Sequence, residues 1–425
     1  MRIDIIKIRY MKRLGIFILL AIFSIIKNDE IKAQSIEVYL QMAAENNPQL
    51  QSAYAEFEAA LQQSPQVASL PDPTLTISAF GRMIETRVGR QEARFSFMQM
   101  FPWFGTLNAK KNAADLMAES EFYKYLDQRN ELFYQIKSAY AEIYALDKTI
   151  DLQNEQLKIL DSYKELTLSQ YKSANAPMVN VVKIDIKQDE LQTEIELLNE
   201  MKHTIQSQFN LLLNRDVLEE IQIQDTIIFE TTAILNSGNF MDHPAVEAFS
   251  MRQASYESQQ TIAKKEGLPM IGLGLDYSII SRRDVANLEG NGRDAIMPML
   301  TLTLPIYRKK YKASIKQAEL MGESVEKAQA GLLNELKSDY EAAKYDLLKA
   351  EKRLNLYDRQ TQSAERALNL LLSGFSNSIN TFDEVLQMNQ DLLDYQIQKI
   401  EAIKAGLTAE ARIDYLFSKK EDYAN

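Results

Sequence analysis

The chain has 425 residues, 59 of them acidic against 48 basic for a net charge of −11, with no cysteine, 14 glycines and 10 prolines. An acidic balance of that size argues against a nucleic-acid surface, and the missing cysteine rules out disulfides, thiolate metal sites and thiol catalysis. So few chain breakers in a sequence rich in Leu, Ala, Glu, Gln and Lys predict a mainly α protein with very long helices.

Residues 1–33 read as a signal peptide: Arg2, Lys7, Arg9, Lys12 and Arg13 precede the apolar run Leu14 to Ile26, and small Ala33 stands where cleavage is expected. The run is too short for a membrane helix, which needs ~20 residues. Seven basic and three acidic residues leave with this segment, so the mature chain carries −15. No later segment offers a run of ~18 apolar residues, and there is no cysteine to carry a lipid anchor. Membrane contact is therefore expected from strands.

A first repeat is expected over 34–216. Asn46-Asn47-Pro48 lies in its early helix, and Leu70-Pro71-Asp72-Pro73-Thr74-Leu75 leads into a strand at about 74–82. Leu75, Ile77 and Ala79 alternate there with Thr74, Thr76 and Ser78. In a second strand, at about 93–101, Phe95 and Phe97 alternate with Arg94, Ser96 and Met98. Met83 to Glu92 reads as a polar loop between them. A helical hairpin is predicted at about 106–214, because Leu132, Ile136, Ala139, Ile143, Leu146, Ile150 and Gln153 step by four and three, the seam of a coiled coil. No proline interrupts Thr106 to Tyr171, so the outgoing helix reaches ~100 Å. Its turn is placed at Ser173, Ala174, Asn175, Ala176 and Pro177, before a return helix with Ile184, Leu191, Leu198, Ile205 and Leu212.

A linker over 217–241 joins this unit to a second repeat over 242–425, with strands at about 270–280 and 296–304, a loop from Ile279 to Ala295, and a helical hairpin at about 309–417. In the strands Ile271, Leu273, Leu275 and Tyr277 alternate with Gly272, Gly274, Asp276 and Ser278, and Leu300, Leu302 and Leu304 with Thr301 and Thr303. The second turn is placed at Ser373, Gly374, Phe375, Ser376, Asn377 and Ser378. Duplication is read from an ordered set of matches about 200 residues apart: Asn47-Pro48 with His243-Pro244, Leu70-Pro71 with Leu268-Pro269, Phe101-Pro102 with Leu304-Pro305, and Lys137-Ser138 with Lys337-Ser338.

Each strand has about the length a tilted strand needs to cross a bilayer, ~9–11 residues, with one apolar and one polar face. Four strands with open edges are not viable in lipid. Two copies of the chain would supply eight strands and three would supply twelve. A small soluble β-domain on a coiled-coil scaffold is the alternative reading.

Other chemistry is thinly represented. The two histidines, His203 and His243, fall in different repeats without a ligand cluster, and His243 before Pro244 suits a helix start. No catalytic, cofactor or metal residues are assigned. Met98 and Met100 lie in one strand, Met297 and Met299 in another; thioethers bind monovalent copper or silver, but packing or lipid contact is the plainer reading.

Asn46-Asn47-Pro48, Leu70 to Leu75 and Gln99-Met100-Phe101-Pro102-Trp103-Phe104-Gly105, set in this duplicated pattern, resemble the TolC-like outer-membrane efflux family. The stretch Gln99 to Gly105 resembles the branch that accompanies heavy-metal transporters. The resemblance implies a homotrimer with a twelve-stranded β-barrel in outer-membrane lipid, continued by a twelve-helix periplasmic tunnel. It also implies a periplasmic adaptor, an inner-membrane transporter of RND or ABC type, no enzymatic activity and no cofactor. On this reading metal cations or small toxic molecules leave through the channel; a protein-secretion duct is the alternative. The turns at Ser173 to Pro177 and Ser373 to Asn377 correspond to the adaptor-contacting tips, and Asp383 and Glu384 to acidic gate positions, where a threefold ring favours cations. The first repeat has Asn180 and Val182 in that stretch and no acid.

Overall fold

The computed structural model describes residues 35–229, 239–285, 287–377 and 379–417. The predicted signal peptide and the central part of the linker lie outside these residues. Helices α1 (Ile36–Asn46) and α2 (Pro48–Ala68) meet at Asn47. The Asn47 Oδ1 accepts from the Gln49 and Leu50 N–H groups at 3.0 and 3.1 Å, and Pro48 takes the first helical position, where no N–H is needed. The second repeat uses the same device: His243 Nδ1 accepts from the Ala245 N–H at 3.2 Å ahead of Pro244.

Strands β1 (Thr74–Thr86) and β2 (Gly89–Phe101) precede α3 (Thr106–Lys172) and α4 (Val179–Leu212). The second repeat repeats the order with α5 (Pro244–Glu266), β3 (Ile271–Ser281), β4 (Ala295–Leu302), α6 (Arg308–Ser376) and α7 (Phe382–Leu416). At 67 and 69 residues, α3 and α6 are each ~100 Å long. Their seams are buried as the heptad spacing predicts: Leu132, Ile136, Ile143 and Leu160 in α3, and Leu336, Ala343, Leu347, Ala350 and Leu368 in α6. The return helices α4 and α7, of 34 and 35 residues, pair with the distal parts of α3 and α6. Nearer the sheet, α5 packs against both long helices. The Ser120 and Ser255 hydroxyls donate across the α3–α5 contact to the carbonyls of Ala248 and Ala113, both at 2.8 Å, where alanines on α3 allow close approach. Among the described residues no helix is long and apolar enough to cross a membrane.

The strands form one antiparallel sheet in the order β1-β2-β3-β4, so the two repeats join through β2 and β3 and both outer edges are open. Two predicted boundaries are corrected. Most of Met83 to Glu92 is strand: β1 resumes pairing after an irregularity between Ala79 and Ile84, and the connection is the two-residue turn Arg87-Val88. That turn brings Gly89 so close to β3 that a Cβ there would lie 1.8 Å from the Ser281 carbonyl oxygen, a packing reason for glycine that periodicity does not reveal. In the second repeat β4 ends at Leu302: the Thr303 N–H still donates to the Met270 carbonyl at 3.0 Å, but the Met270 N–H donates to the Thr303 hydroxyl at 2.8 Å, so a side chain takes the place of the next backbone acceptor.

Candidate functional site

The far end of the helices carries the candidate adaptor and gate residues. After α3, Ala174 takes the left-handed conformation with φ 59°. Its N–H donates to the Tyr171 carbonyl at 2.9 Å and the Asn175 N–H to Gln170 at 2.9 Å, the bonding pattern of a Schellman stop that ordinarily uses glycine. The second tip is built differently from expectation. Ser373, Gly374, Phe375 and Ser376 form the last turn of α6, and of the predicted stretch Asn377 alone is described in the turn; Ser378 lies outside the described residues. Gly374 does not reverse the chain. Its carbonyl accepts from the Asn377, Ile379 and Asn380 N–H groups, and a Cβ on it would lie 1.8 Å from Asn380 Oδ1. The glycine lets the turn fold back onto the helix.

Both tips share one apolar cluster, in which Tyr163, Ile184, Phe375, Phe382 and Val385 draw on all four helices. Phe375 is buried there with its ring 5.4 Å from Phe382. Among the described residues beside the turns, Tyr171, Met178, Val179, Val182 and Ile379 are exposed apolar side chains.

The two gate candidates have different surroundings. Glu384 closes a capping box: its Oε2 accepts from the Thr381 N–H at 2.8 Å and the Thr381 hydroxyl at 3.1 Å, while its own N–H donates to that hydroxyl. The Thr381 N–H and hydroxyl hold its carboxyl below the usual carboxylate range. Asp383 binds Lys183 of α4, with Nζ at 2.6 and 2.7 Å from its two oxygens. Sequence reasoning missed Lys183, although it stands opposite Asp383 at the offset that relates the two repeats.

At the other end the register divides the sheet into two faces. The rows Leu75–Phe97–Leu275–Pro298 and Ile77–Phe95–Tyr277–Ile296 make one face apolar, and Leu75, Ile77, Ile296 and Leu300 are 60% or more exposed on it. The opposite face carries Thr76–Ser96–Asp276–Met297 and Thr74–Met98–Gly274–Met299. Met98, Met100, Met297 and Met299 therefore share the polar face. Trp103, Phe104 and Tyr307 are exposed where the strands give way to α3 and α6.

Between the two ends a polar cluster joins the repeats. Buried His243 has Nε2 3.9 Å from Asp127 Oδ1, which accepts from the Tyr415 hydroxyl at 3.1 Å. Arg412 lies over the rings of Tyr134 and Tyr415 and pairs with Asp339 and Glu131. Burial pushes the Asp127 carboxyl up to about 6 and the His243 imidazole down to about 4. Among the described residues no group of three or more His, Cys, Asp or Glu is placed to hold a metal ion.

No curated protein sequence is significantly similar. Among solved structures, the outer membrane protein VceC from Vibrio cholerae matches with a TM-score of 0.72 at 17% identity, over 90% of this chain and 96% of its own. CusC, described as undergoing conformational changes on folding and transmembrane channel formation, gives 0.77 at 14% identity over 90% and 92%. The open state of the MtrE outer membrane channel of Neisseria gonorrhoeae gives 0.69 at 14% identity over 90% and 88%. At these identities the likeness establishes the fold. A family model for outer membrane efflux proteins matches residues 39–213 and 241–417, one stretch in each repeat, and the chain belongs to the outer membrane efflux protein family.

Proposed function

We propose that three copies of this chain close their sheets into a twelve-stranded barrel and serve as the outer-membrane duct of a tripartite efflux pump. The observation that carries this reading is a four-stranded sheet with an exposed apolar face and two open edges, set on helical hairpins ~100 Å long. Alone in lipid the sheet would leave the backbone groups of β1 and β4 unpaired; closure with neighbours pairs them and turns the apolar face outward. Residues 1–33 direct export and are removed. Cargo, as metal cations or small toxic molecules, enters from an inner-membrane transporter of RND or ABC type through a periplasmic adaptor. The adaptor meets the two tips, with Tyr171, Met178, Val179 and Ile379 exposed beside the turns. Asp383 forms a threefold ring at the constriction. The protein conducts and does not catalyse.

The chain's one tryptophan, Trp103, reports directly on this arrangement. At the junction of strands and helices it is expected at the membrane interface, where aromatic side chains concentrate. In proteoliposomes its fluorescence should be quenched by lipids brominated near the headgroup, and the detergent-solubilised particle should have the mass of three chains. A monomer released by carbonate without detergent, with Trp103 unquenched, would overturn the reading.

A further inference from the structure

We propose that the inner face of the barrel carries a thioether trough that binds soft monovalent cations, formed by Met98, Met100, Met297 and Met299 around Gly272 and Gly274. The inference rests on the channel reading, which makes the polar face of the sheet the lumen. In sequence the methionines are two pairs separated by almost 200 residues, and strand pairing brings them together. Met98 and Met299 flank Gly274 from opposite sides, Met100 flanks Gly272, and Met297 lies one row further along beside Asp276.

The glycines are part of the construction. Glycine in a strand interior weakens the strand and gives it no side chain to pack. Here a Cβ on Gly272 would lie 2.6 Å from Met100 Sδ and 3.1 Å from Met98 Sδ, and a Cβ on Gly274 2.8 Å from Met98 Cε. The two sulfurs thus lie within ~6 Å of one another over a strip of bare backbone, and the flexibility of methionine lets them converge further. Any larger residue on β3 would push them away.

Packing against lipid does not account for these side chains. The lipid-facing rows hold Leu, Ile, Phe, Tyr and Pro298, whereas these four methionines share their face with Thr74, Thr76 and Ser96. Neutral thioethers select Cu(I) and Ag(I) over the hard cations of the surrounding medium. Lacking charge, they hold such ions loosely enough for passage, which conduction requires. Asp276, 4% exposed, adds a negative charge at the edge of the trough: Oδ1 has no hydrogen-bond partner, and Oδ2 lies 3.9 Å from Arg94 Nε.

The test is silver titration of the purified, detergent-solubilised protein in chloride-free buffer, followed calorimetrically with silver nitrate. Replacing all four methionines by leucine preserves volume and apolarity and is expected to weaken silver binding by about tenfold or more. A control with Met117, Met201, Met321 and Met388 replaced by leucine should bind silver as the wild type does. Equal silver binding by the wild type and the strand variant, or an equal loss in the control, would overturn the proposal. Potassium conductance in planar bilayers is read separately. Its absence from the wild type counts against the channel, while the titration still decides the trough.

Discussion

Lys183 Nζ lies 2.6 and 2.7 Å from the two carboxylate oxygens of Asp383, tying α4 of the first repeat to α7 of the second at positions 200 residues apart. Both side chains are substantially exposed, so the pair contributes only ~0–1 kcal/mol to stability. Its consequence is electrical. Asp383→Asn would leave Lys183 unopposed, which in the proposed trimer replaces three paired acids at the tip by three free cations. In planar bilayers under a potassium chloride gradient, the reversal potential should move toward lower cation selectivity, while Lys183→Met should move it the opposite way. Glu384→Gln should shift it less, since that carboxylate is held in the capping box. Identical reversal potentials for wild type, Asp383→Asn and Lys183→Met would remove Asp383 from the gate.

Ala174 occupies a left-handed position with φ 59°, where a Cβ is crowded by the neighbouring carbonyl at a cost of ~1–2 kcal/mol. Ala174→Gly should relieve part of that strain and stabilise the first tip by ~1 kcal/mol, reduced by the greater freedom of glycine in the unfolded chain. Hydrogen exchange gives a local measure: the Ala174 and Asn175 amides, which close the Schellman turn, should exchange several-fold more slowly. Ala174→Val should accelerate them. If glycine also accelerates exchange, the side chain at 174 makes a contact that outweighs the backbone strain.

The contrast between the tips shows where sequence reasoning succeeds. Heptad spacing places the buried seam of α3 and α6 because a period near 3.5 is a property of one helix alone. Alternation likewise identifies the apolar strand face from Leu75, Ile77, Leu273 and Leu275. Gly374 is misleading because glycine suits both a left-handed turn and a close approach, and only the position of Asn380 separates the two. Ala174 is the mirror case, a turn residue with no turn signature. Met83 to Glu92 looks like a loop because its polarity resembles that of a rim. Lys183, Asp127 and Arg412 acquire their roles across repeats, through contacts that no local pattern encodes. The repeat offset alone would have paired Lys183 with Asp383.

The Asp127–His243 cluster gives opposite pH dependences on one contact between repeats. Asp127 has its folded pKa raised from 3.8 to about 6, so its contribution favours folding fully below about 3.8 and is lost as pH rises through 6. His243 has its value lowered from 6.5 to about 4, so its contribution is present above about 6.5 and is lost as pH falls through 4. Asp127→Asn keeps an acceptor for the Tyr415 hydroxyl and removes the half-buried charge. It should raise stability above pH 6 by on the order of 1–2 kcal/mol after discounting for solvent screening, with little effect below pH 4. His243→Asn installs the cap that Asn47 supplies in the first repeat and should flatten the acid limb. Thermal denaturation followed from about pH 3 to pH 8 checks both. An Asp127→Asn gain that is the same at every pH would show that charge is not the cause.

Gly406 on α7 offers a sharper test of packing, because two principles predict opposite signs. In an exposed helix Gly→Ala gains ~1 kcal/mol from backbone entropy. At Gly406, however, a Cβ would lie 2.4 Å from the ring of Phe229, which is buried among Val246, Leu336, Leu347 and Ile413. Overpacking of this kind costs ~1–3 kcal/mol, so Gly406→Ala should lower the midpoint of thermal denaturation. Phe229→Ala should lower it too, by opening a cavity worth ~3–5 kcal/mol. Combining them reverses the sign of the first change: with the ring gone, alanine at 406 has room and regains its helical preference, so the double variant should be more stable than Phe229→Ala alone. That sign change follows from one steric contact, whereas a general intolerance of α7 to substitution would make the double variant the least stable of the three.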